Sequence, residues 1–313
     1  LTMPSRGVLS PGSEKVAYLI GRRPGPFGPG VEYTRRSMRL CRFGENRLGV
    51  IEGDQVLDVT AALDELPAYR YPLPAGDALI ANLGTVTARA RVLAASGAAA
   101  PIDRVTLLSP VANPNKIIAA PVNYRKGGED DAAIAAAMSI GLFLKANSSL
   151  AGAGGGIALR MMERQIDHEV ELGVVIGKQG VNIRRGDALQ HVAGYAVALD
   201  ITPHGKEERS LRKSCETYSV LGPWLVTADE IPDPGNLDLQ LEVNGEVRQK
   251  GNTRQMIRDV AALIEYASSF YTLYPGDIFL SGTPAGVGPM KPGDELVASV
   301  EKIGTMRVRV RAA

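Results

Sequence analysis

The sequence contains few residues suited to thiol or imidazole chemistry. Among 313 residues there are two cysteines, Cys41 and Cys215, and three histidines. No Cys-x-x-Cys or His-x-x-x-His pair occurs, so the spacing favours neither a zinc site nor a dithiol redox centre. We therefore expect reduced thiols in a cytoplasmic protein.

The chain also lacks a marked charge of either sign and a long apolar run. Its net charge is +1, and the lysines and arginines are scattered along the sequence. That pattern excludes the basic surface typical of nucleic-acid binding and a basic cluster beside a membrane. No apolar run reaches the roughly 18 residues of a membrane span. We expect neither a nucleic-acid nor a membrane partner.

Two glycine-rich stretches look like nucleotide-binding loops but lack the required spacing. The segment "LAGAGGGIALR" (residues 150–160) has no G-x-G-x-x-G pattern and is flanked by a loop and a short strand. The segment "GTPAGVGPMKPGD" (residues 282–294) has no G-K-[ST] ending. We interpret the first as a flexible loop near a cleft and expect no nucleotide site in either.

Composition and patterning divide the chain into three regions. Residues 1–37 are rich in glycine and proline, show no periodicity and contain no apolar stretch long enough for a signal peptide, which predicts a flexible extension. Residues 38–112 predict a small α+β lobe, with helical stretches at 61–66 and 78–95. Residues 113–313 are mostly strands and predict the catalytic domain.

The third region predicts a β-rich α+β fold, because its strands do not alternate regularly with helices. Helices are predicted at 129–145 and 253–271, and Asn244-Gly245 favours a type I′ turn between two strands. The predicted strands are 167–176, 192–199, 224–227, 238–243, 246–249, 278–281 and 295–300.

The stretch "RQIDHEVELGVVIGK" combines a buried strand with a row of acids. Since alternate residues of a strand share a face, Glu169 and Glu171 project together while His168 faces the packing side. Asp167 lies just upstream, and Asp200 ends the next apolar strand. Together Glu169, Glu171 and Asp200 would form an all-oxygen site suited to Mg²⁺ or Mn²⁺. Alternatively, the two glutamates line the wet face of an edge strand and Asp200 begins a turn.

Five ordered blocks give the sequence a specific resemblance. They are "IDHEVELGVVIGK", "VAGYAVALDIT", "KSCETYSVLGPWLVTADEI", "VNGEVRQKGNT" and "LYPGDIFLSGTPAGVGPMKPGDE". Their order and spacing are similar to those of the fumarylacetoacetate hydrolase family across residues 115–313, with a weaker match at 38–66. The resemblance implies a mixed β-roll or β-sandwich catalytic domain, a homodimer, and Mg²⁺ or Mn²⁺ as cofactor.

The resemblance also implies roles for individual residues. The family's metal ligands fall on Glu169, Glu171 and Asp200, and its site lysine falls on Lys213. Substrate-binding positions fall on Tyr124, Lys145 and Thr283. Family substrates are 2-oxo acids or acylpyruvates, whose enolate a divalent cation can stabilise.

The chain departs from the family where a water-activating base is expected. The family pattern is "NYxxHxxE", but the segment here is "NYRKGGEDD", which places Gly127 at the histidine position and Asp130 at the glutamate position. Glu129, one residue out of register, could act as a substitute base. His204 stands where the family has an arginine and could supply the lost imidazole from the other side.

These observations predict a metal-dependent enzyme acting on a 2-oxo acid or acylpyruvate, nominally by hydrolysis of a C–C bond. Because the His–Glu pair is absent, an isomerase, decarboxylase or dehydratase on the same scaffold stays open. A non-catalytic ligand-binding homologue is the third alternative. The sequence does not identify the particular 2-oxo acid.

Overall fold

The computed structural model describes residues 38–125 and 127–313, so the extension predicted at residues 1–37 lies outside the described residues. The strands as far as the first acidic segment are β1 (Arg39–Phe43), β2 (Arg47–Glu52), β3 (Gln55–Asp58), β4 (Ala99–Pro101), β5 (Leu107–Leu108), β6 (Ile117–Ala119), β7 (Phe143–Lys145), β8 (Leu150–Ala151), β9 (Ile157–Leu159) and β10 (Ile166–His168). The later strands are β11 (Val170–Ile176), β12 (Val192–Asp200), β13 (Thr202–Pro203), β14 (Ser219–Thr227), β15 (Asp238–Val243), β16 (Glu246–Asn252), β17 (Ile278–Leu280), β18 (Gly288–Pro289), β19 (Glu295–Val300) and β20 (Gly304–Ala312). The α-helices are α1 (Ala78–Ala81), α2 (Leu83–Ala94), α3 (Asp131–Ser139), α4 (Arg209–Arg212) and α5 (Val260–Ser268).

A mixed sheet of twelve strands forms the centre of the molecule. Its middle strands are β14, β12 and β11, which pair antiparallel, and every residue of β11 and β14 is buried. Strand β1 pairs with β14 and carries the N-terminal strands into the same sheet. The two regions predicted on either side of residue 112 therefore share a sheet, and their division into domains stays a prediction.

A second sheet of five strands, in the order β16-β15-β19-β20-β9, packs against the first. Its strands β15, β19 and β20 alternate buried and exposed residues, as expected when one face packs on a core and the other meets water. Side chains of both sheets, including Leu172, Val197, Leu241 and Met306, share one apolar cluster. The predicted β-rich α+β architecture of layered, mixed sheets is confirmed.

Strand β20 is missing from the sequence prediction although its pattern is clear. Met306, Val308 and Val310 are buried, and Arg307 and Arg309 between them are exposed. This alternation is the usual signal of a strand with one buried face. By contrast, the hairpin at Asn244-Gly245 is confirmed, since both residues have the positive φ that a type I′ turn requires.

The helix predicted at 253–271 is wrong at its start. Residues Thr253–Gln255 form a 3₁₀ turn that Asn252 caps, and α5 begins only at Val260. The apolar spacing continues through both segments, but Asp259 starts a new helix by accepting a hydrogen bond from the Ala262 N–H at 2.8 Å. A side-chain cap thus ends one element and begins another within a single periodic pattern.

The helix predicted at 129–145 is also too long. Helix α3 ends at Ser139, and Gly141, with φ of 76°, turns the chain into β7. Strand β7 pairs with β6, where Lys145 lies opposite Ile117. Strand β7 is the last strand of the sheet order, and Lys145 at its end is buried. Within the described part of the chain, no helix combines the length and apolar character needed to cross a membrane.

Replacing Asp259 with alanine removes the cap of α5 and should lower the free energy of unfolding by about 1 kcal/mol. Asp259 also forms an exposed ion pair with Arg185, so Asp259→Ser, which keeps a capping oxygen but removes the charge, is the matched control. Chemical denaturation of the three proteins measures the difference. A loss of equal size in both variants would contradict the capping role.

Candidate active site

Three carboxylates meet where β10, β11 and β12 come together. Glu171 lies on β11, Asp200 ends β12, and Glu169 occupies the one-residue break between β10 and β11. One oxygen of each side chain lies within 4.8 Å of the others. Because β11 is flanked by β12 and β17, and Glu171 and Asp200 are buried, the alternative interpretation as a wet edge strand is wrong.

Two lysines bind this acidic cluster from different sides. Lys213 Nζ lies 2.6 Å from Asp200 Oδ2 and 3.0 Å from Glu169 Oε2. Lys145 Nζ donates hydrogen bonds to Asp200 Oδ1 and, at 2.6 Å, to the Tyr218 carbonyl. The side chain of Lys145 is fully buried and lies behind Asp200. This geometry favours orientation of Asp200 by Lys145, and the predicted contact between Lys145 and substrate stays a prediction.

Charge is unevenly compensated within the cluster. Burial raises the pKa of Asp200, but Lys145 and Lys213 outweigh burial, so its pKa is lowered overall. Burial together with the facing carboxylates of Asp200 and Glu169 raises the pKa of Glu171 well above its usual value. Glu171 accepts a hydrogen bond from the Gly282 N–H at 2.7 Å, and within the described residues no cation pairs with it.

The donor set suits a divalent cation. Three carboxylates face two ammonium groups, so ionisation of all three leaves one negative charge without a counter-charge among the described residues, and the raised pKa of Glu171 reflects that cost. An uncompensated buried charge is costly, and a cation bound by oxygen atoms removes that cost. Carboxylates are the ligands that Mg²⁺ and Mn²⁺ prefer, so Glu169, Glu171 and Asp200 fit the predicted cofactor.

Thr283 is held at the cluster by a glutamine that the sequence analysis missed. The Thr283 hydroxyl donates to the Val170 carbonyl at 2.7 Å and accepts from Gln249 Nε2 at 2.8 Å. Gln249 is fully buried, and its Oε1 accepts from the Val170 N–H at 3.1 Å and lies 3.0 Å from His168 Nδ1. Gln249 thus ties the break beside Glu169 to the loop of Thr283. His168 faces the packing side, as predicted.

A cleft of about 400 Å³ opens onto the acidic cluster. The Tyr124 hydroxyl in its wall is buried beside Ser281 and Glu171, with the Ser281 hydroxyl as its nearest polar neighbour and no well-aligned hydrogen bond to a described residue. Burial and the negative charge of Glu171 raise the pKa of Tyr124, so the hydroxyl stays protonated and can donate to a ligand. The cleft is lined by Ala120, Pro121, Val122, Tyr124, Glu169, Glu171, Thr202, Arg209, Arg212, Lys213, Thr283, Pro284, Ala285, Gly286 and Val287.

The two candidate bases lie outside this lining. His204 Nε2 is 2.7 Å from Asp167 Oδ2, and more than half of the histidine side chain is exposed. Glu129 accepts a hydrogen bond from the Gly127 N–H at 2.9 Å. Neither residue is in the group that surrounds the carboxylates, and their roles stay predictions. Asp167 is a flanking residue that pairs with His204.

Comparison with known proteins identifies the class. Residues 116–311 match the fumarylacetoacetate (FAA) hydrolase C-terminal domain. The chain belongs to the fumarylacetoacetate hydrolase family, whose members among its relatives are hydrolases, isomerases and tautomerases.

Among individual relatives, maleylpyruvate hydrolase of Aquipseudomonas alcaligenes is 54% identical over 88% of this chain and 100% of the relative. Human oxaloacetate tautomerase FAHD2A, a mitochondrial protein, is 39% identical over 92% of this chain and 95% of the relative. A solved structure is also similar: the crystal structure of maleylpyruvate hydrolase from Sphingobium sp. SYK-6 in complex with manganese(II) and pyruvate. Its sequence is 38% identical to this chain, and the two structures superpose with a TM-score of 0.76 over 88% of this chain and 100% of that one.

Lys145→Met should lower the free energy of unfolding of the metal-free protein by about 3 kcal/mol, because it removes one partner of a buried ion pair. Added Mn²⁺ should stabilise this variant more than the wild type, since the cation replaces the lost positive charge. Thermal unfolding with and without Mn²⁺ measures both effects.

Lys116→Met is the matched control, because Lys116 pairs with the buried Asp277 at 2.9 Å, outside the acidic cluster. This variant should be destabilised without any extra gain from Mn²⁺. An equal gain in both variants would show that Lys145 does not compensate the cluster.

Proposed function

We propose that the chain is a hydrolase of acylpyruvates that depends on Mg²⁺ or Mn²⁺, and that maleylpyruvate is the first substrate to test. The observation that carries the proposal is the cluster of Glu169, Glu171, Asp200 and Lys213, of which Glu169, Glu171 and Lys213 line one cleft. The likeness to two maleylpyruvate hydrolases supports the choice of substrate.

Glu169, Glu171 and Asp200 hold the cofactor in this proposal. A bound divalent cation polarises the carbonyl of a 2-oxo acid and stabilises the negative charge that develops when the adjacent C–C bond breaks. Lys145 keeps Asp200 ionised and oriented from behind. The burial of all these groups excludes bulk water and strengthens each electrostatic contact.

Lys213 and two hydroxyl groups act on the substrate. The ammonium group of Lys213 places positive charge beside the forming enolate oxygen, and its strongly raised pKa keeps it protonated. Thr283 and Tyr124 both line the cleft, and the protonated Tyr124 hydroxyl is suited to donate to a substrate carboxylate or carbonyl, whereas the Thr283 hydroxyl already donates to the Val170 carbonyl. These contacts orient the acylpyruvate so that its acyl carbonyl faces the cleft opening.

Hydrolysis also needs a group that takes a proton from water. Glu129 and His204 are the candidates, and neither lines the cleft. The lack of a base among the described lining residues favours a second candidate function, tautomerisation of a 2-oxo acid, which requires no water nucleophile. The 39% identity to an oxaloacetate tautomerase supports that alternative.

The family membership supports three further points of the proposal. Residues 113–313 form the catalytic domain, in keeping with the match to residues 116–311. The protein acts as a homodimer, as the family resemblance implies. It works in the cytoplasm, in keeping with the two free cysteines.

Incubation of the Mn²⁺-loaded protein with maleylpyruvate, acetylpyruvate and oxaloacetate tests the proposal. NMR distinguishes release of pyruvate and the acid from enol–keto exchange and from loss of CO₂. We expect pyruvate release, and Lys213→Met should lower kcat by about 100-fold or more because a preorganised positive charge is lost.

Lys291→Met is the control, since Lys291 is exposed and outside the cleft. It should retain the wild-type rate. Enol–keto exchange without release of pyruvate would contradict the proposed hydrolase activity and support the tautomerase activity instead. An unchanged rate in Lys213→Met would remove Lys213 from the mechanism.

A further inference from the structure

Arg209 is a cation in the cleft that has no partner. Its side chain is half-buried in the cleft lining, and among the described residues nothing pairs with its guanidinium group. Neighbouring arginines are engaged: Arg212 donates to the Pro203 carbonyl at 2.6 Å, and Arg164 pairs with Glu207 at 3.0 Å. The guanidinium donors of Arg209 are therefore not taken up by a described residue and are available to a ligand in the cleft.

Helix α4 sets the position of Arg209 relative to the acidic cluster. The Lys213 N–H donates to the Arg209 carbonyl at 3.0 Å, so the two residues lie one helical turn apart. Side chains at positions i and i+4 lie on one face of a helix, about 6 Å apart at Cβ. Lys213 is buried against Asp200, whereas Arg209 is more exposed. Arg209 thus lies farther toward the cleft opening on the face that carries Lys213.

The charges at the two ends of the cleft differ. At the acidic cluster, three carboxylates and two ammonium groups leave one negative charge. A divalent cation changes this to one positive charge, which the carboxylate of a 2-oxo acid neutralises. A second carboxylate on the substrate would need another cation. Arg209 and Arg212 supply positive charge toward the opening, and neither forms an ion pair with a described carboxylate.

We propose that Arg209 binds the carboxylate at the acyl end of a dicarboxylic 2-oxo acid and so selects such substrates over those with a neutral acyl chain. The assignment rests on the proposed function. A guanidinium group can bind a carboxylate through two parallel hydrogen bonds. Pro284, Ala285 and Val287 line the same cleft and provide an apolar surface for the carbon chain.

A binding experiment without turnover tests this assignment. Calorimetry of the Mn²⁺-loaded protein compares 2-oxoadipate with 2-oxohexanoate, which has the same chain length but a terminal methyl group. The wild type should bind the dicarboxylate at least about tenfold more tightly. Arg209→Gln should weaken 2-oxoadipate binding by about 10- to 100-fold and change 2-oxohexanoate binding by less than about twofold. Arg209→Lys should restore part of the preference.

Lys206→Gln is the matched control, because Lys206 is an exposed cation on the same segment and is not part of the cleft lining. It should keep the wild-type preference. Equal affinity of the wild type for 2-oxoadipate and 2-oxohexanoate would overturn the assignment. An equal loss of affinity for both ligands in Arg209→Gln would also overturn it, because it would indicate a structural role for Arg209.

Kinetics with maleylpyruvate and acetylpyruvate separates this assignment from the proposed function. If Arg209→Gln raises KM for maleylpyruvate but not for acetylpyruvate, and changes kcat by a smaller factor than KM, the role of Arg209 and the proposed hydrolase activity both stand. A second outcome is that the protein prefers 2-oxoadipate through Arg209 but releases pyruvate from no acylpyruvate. That outcome overturns the proposed hydrolase activity and leaves the role of Arg209 standing. A third outcome is release of pyruvate from both acylpyruvates with equal kcat/KM and no effect of Arg209→Gln. That outcome overturns the role of Arg209 and leaves the proposed hydrolase activity standing.

Discussion

Mutual repulsion among three closely spaced carboxylates is the constraint on which the rest of this structure depends. One oxygen of each of Glu169, Glu171 and Asp200 lies within 4.8 Å of the others, beside the central strands β11 and β12, and Glu171 and Asp200 are buried there. Lys145, buried at the end of β7, compensates Asp200 from behind, and Lys213 does so from the cleft. A divalent cation held by Glu169, Glu171 and Asp200 would balance the remaining negative charge and would supply positive charge to a bound 2-oxo acid.

The fold serves this cluster through contacts between distant parts of the chain. Strand β7 brings Lys145 behind Asp200, although 54 residues lie between them. Gln249 on β16 fixes the backbone at Val170 and holds Thr283 in the cleft wall. The first contact joins β7 to Asp200 at the end of β12, and the others join β16 and the loop of Thr283 to Val170, next to the one-residue break at Glu169.

Much of the site could be predicted from the sequence because its pattern is local. Alternation along one strand indicated that Glu169 and Glu171 share a face, and Asp200 was found as the acid that ends an apolar strand. The extent of the helices was harder to predict, because capping by Asp259 and the turn at Gly141 interrupt a continuous apolar pattern. Gln249 and Arg209 gave no local signal: the first acts across the two sheets, and the second is significant only because no described carboxylate pairs with it, although Glu207 and Glu208 precede it in the sequence.

Anomalous diffraction at the manganese edge, from crystals grown with Mn²⁺ and pyruvate, tests the central claim most directly. The account predicts one strong peak within about 2.3 Å of an oxygen from each of Glu169, Glu171 and Asp200, with Lys145 still bound to Asp200. A manganese peak elsewhere in the molecule would contradict the account. So would a structure in which Glu169 and Asp200 remain paired with Lys213 and no manganese is bound to the three carboxylates.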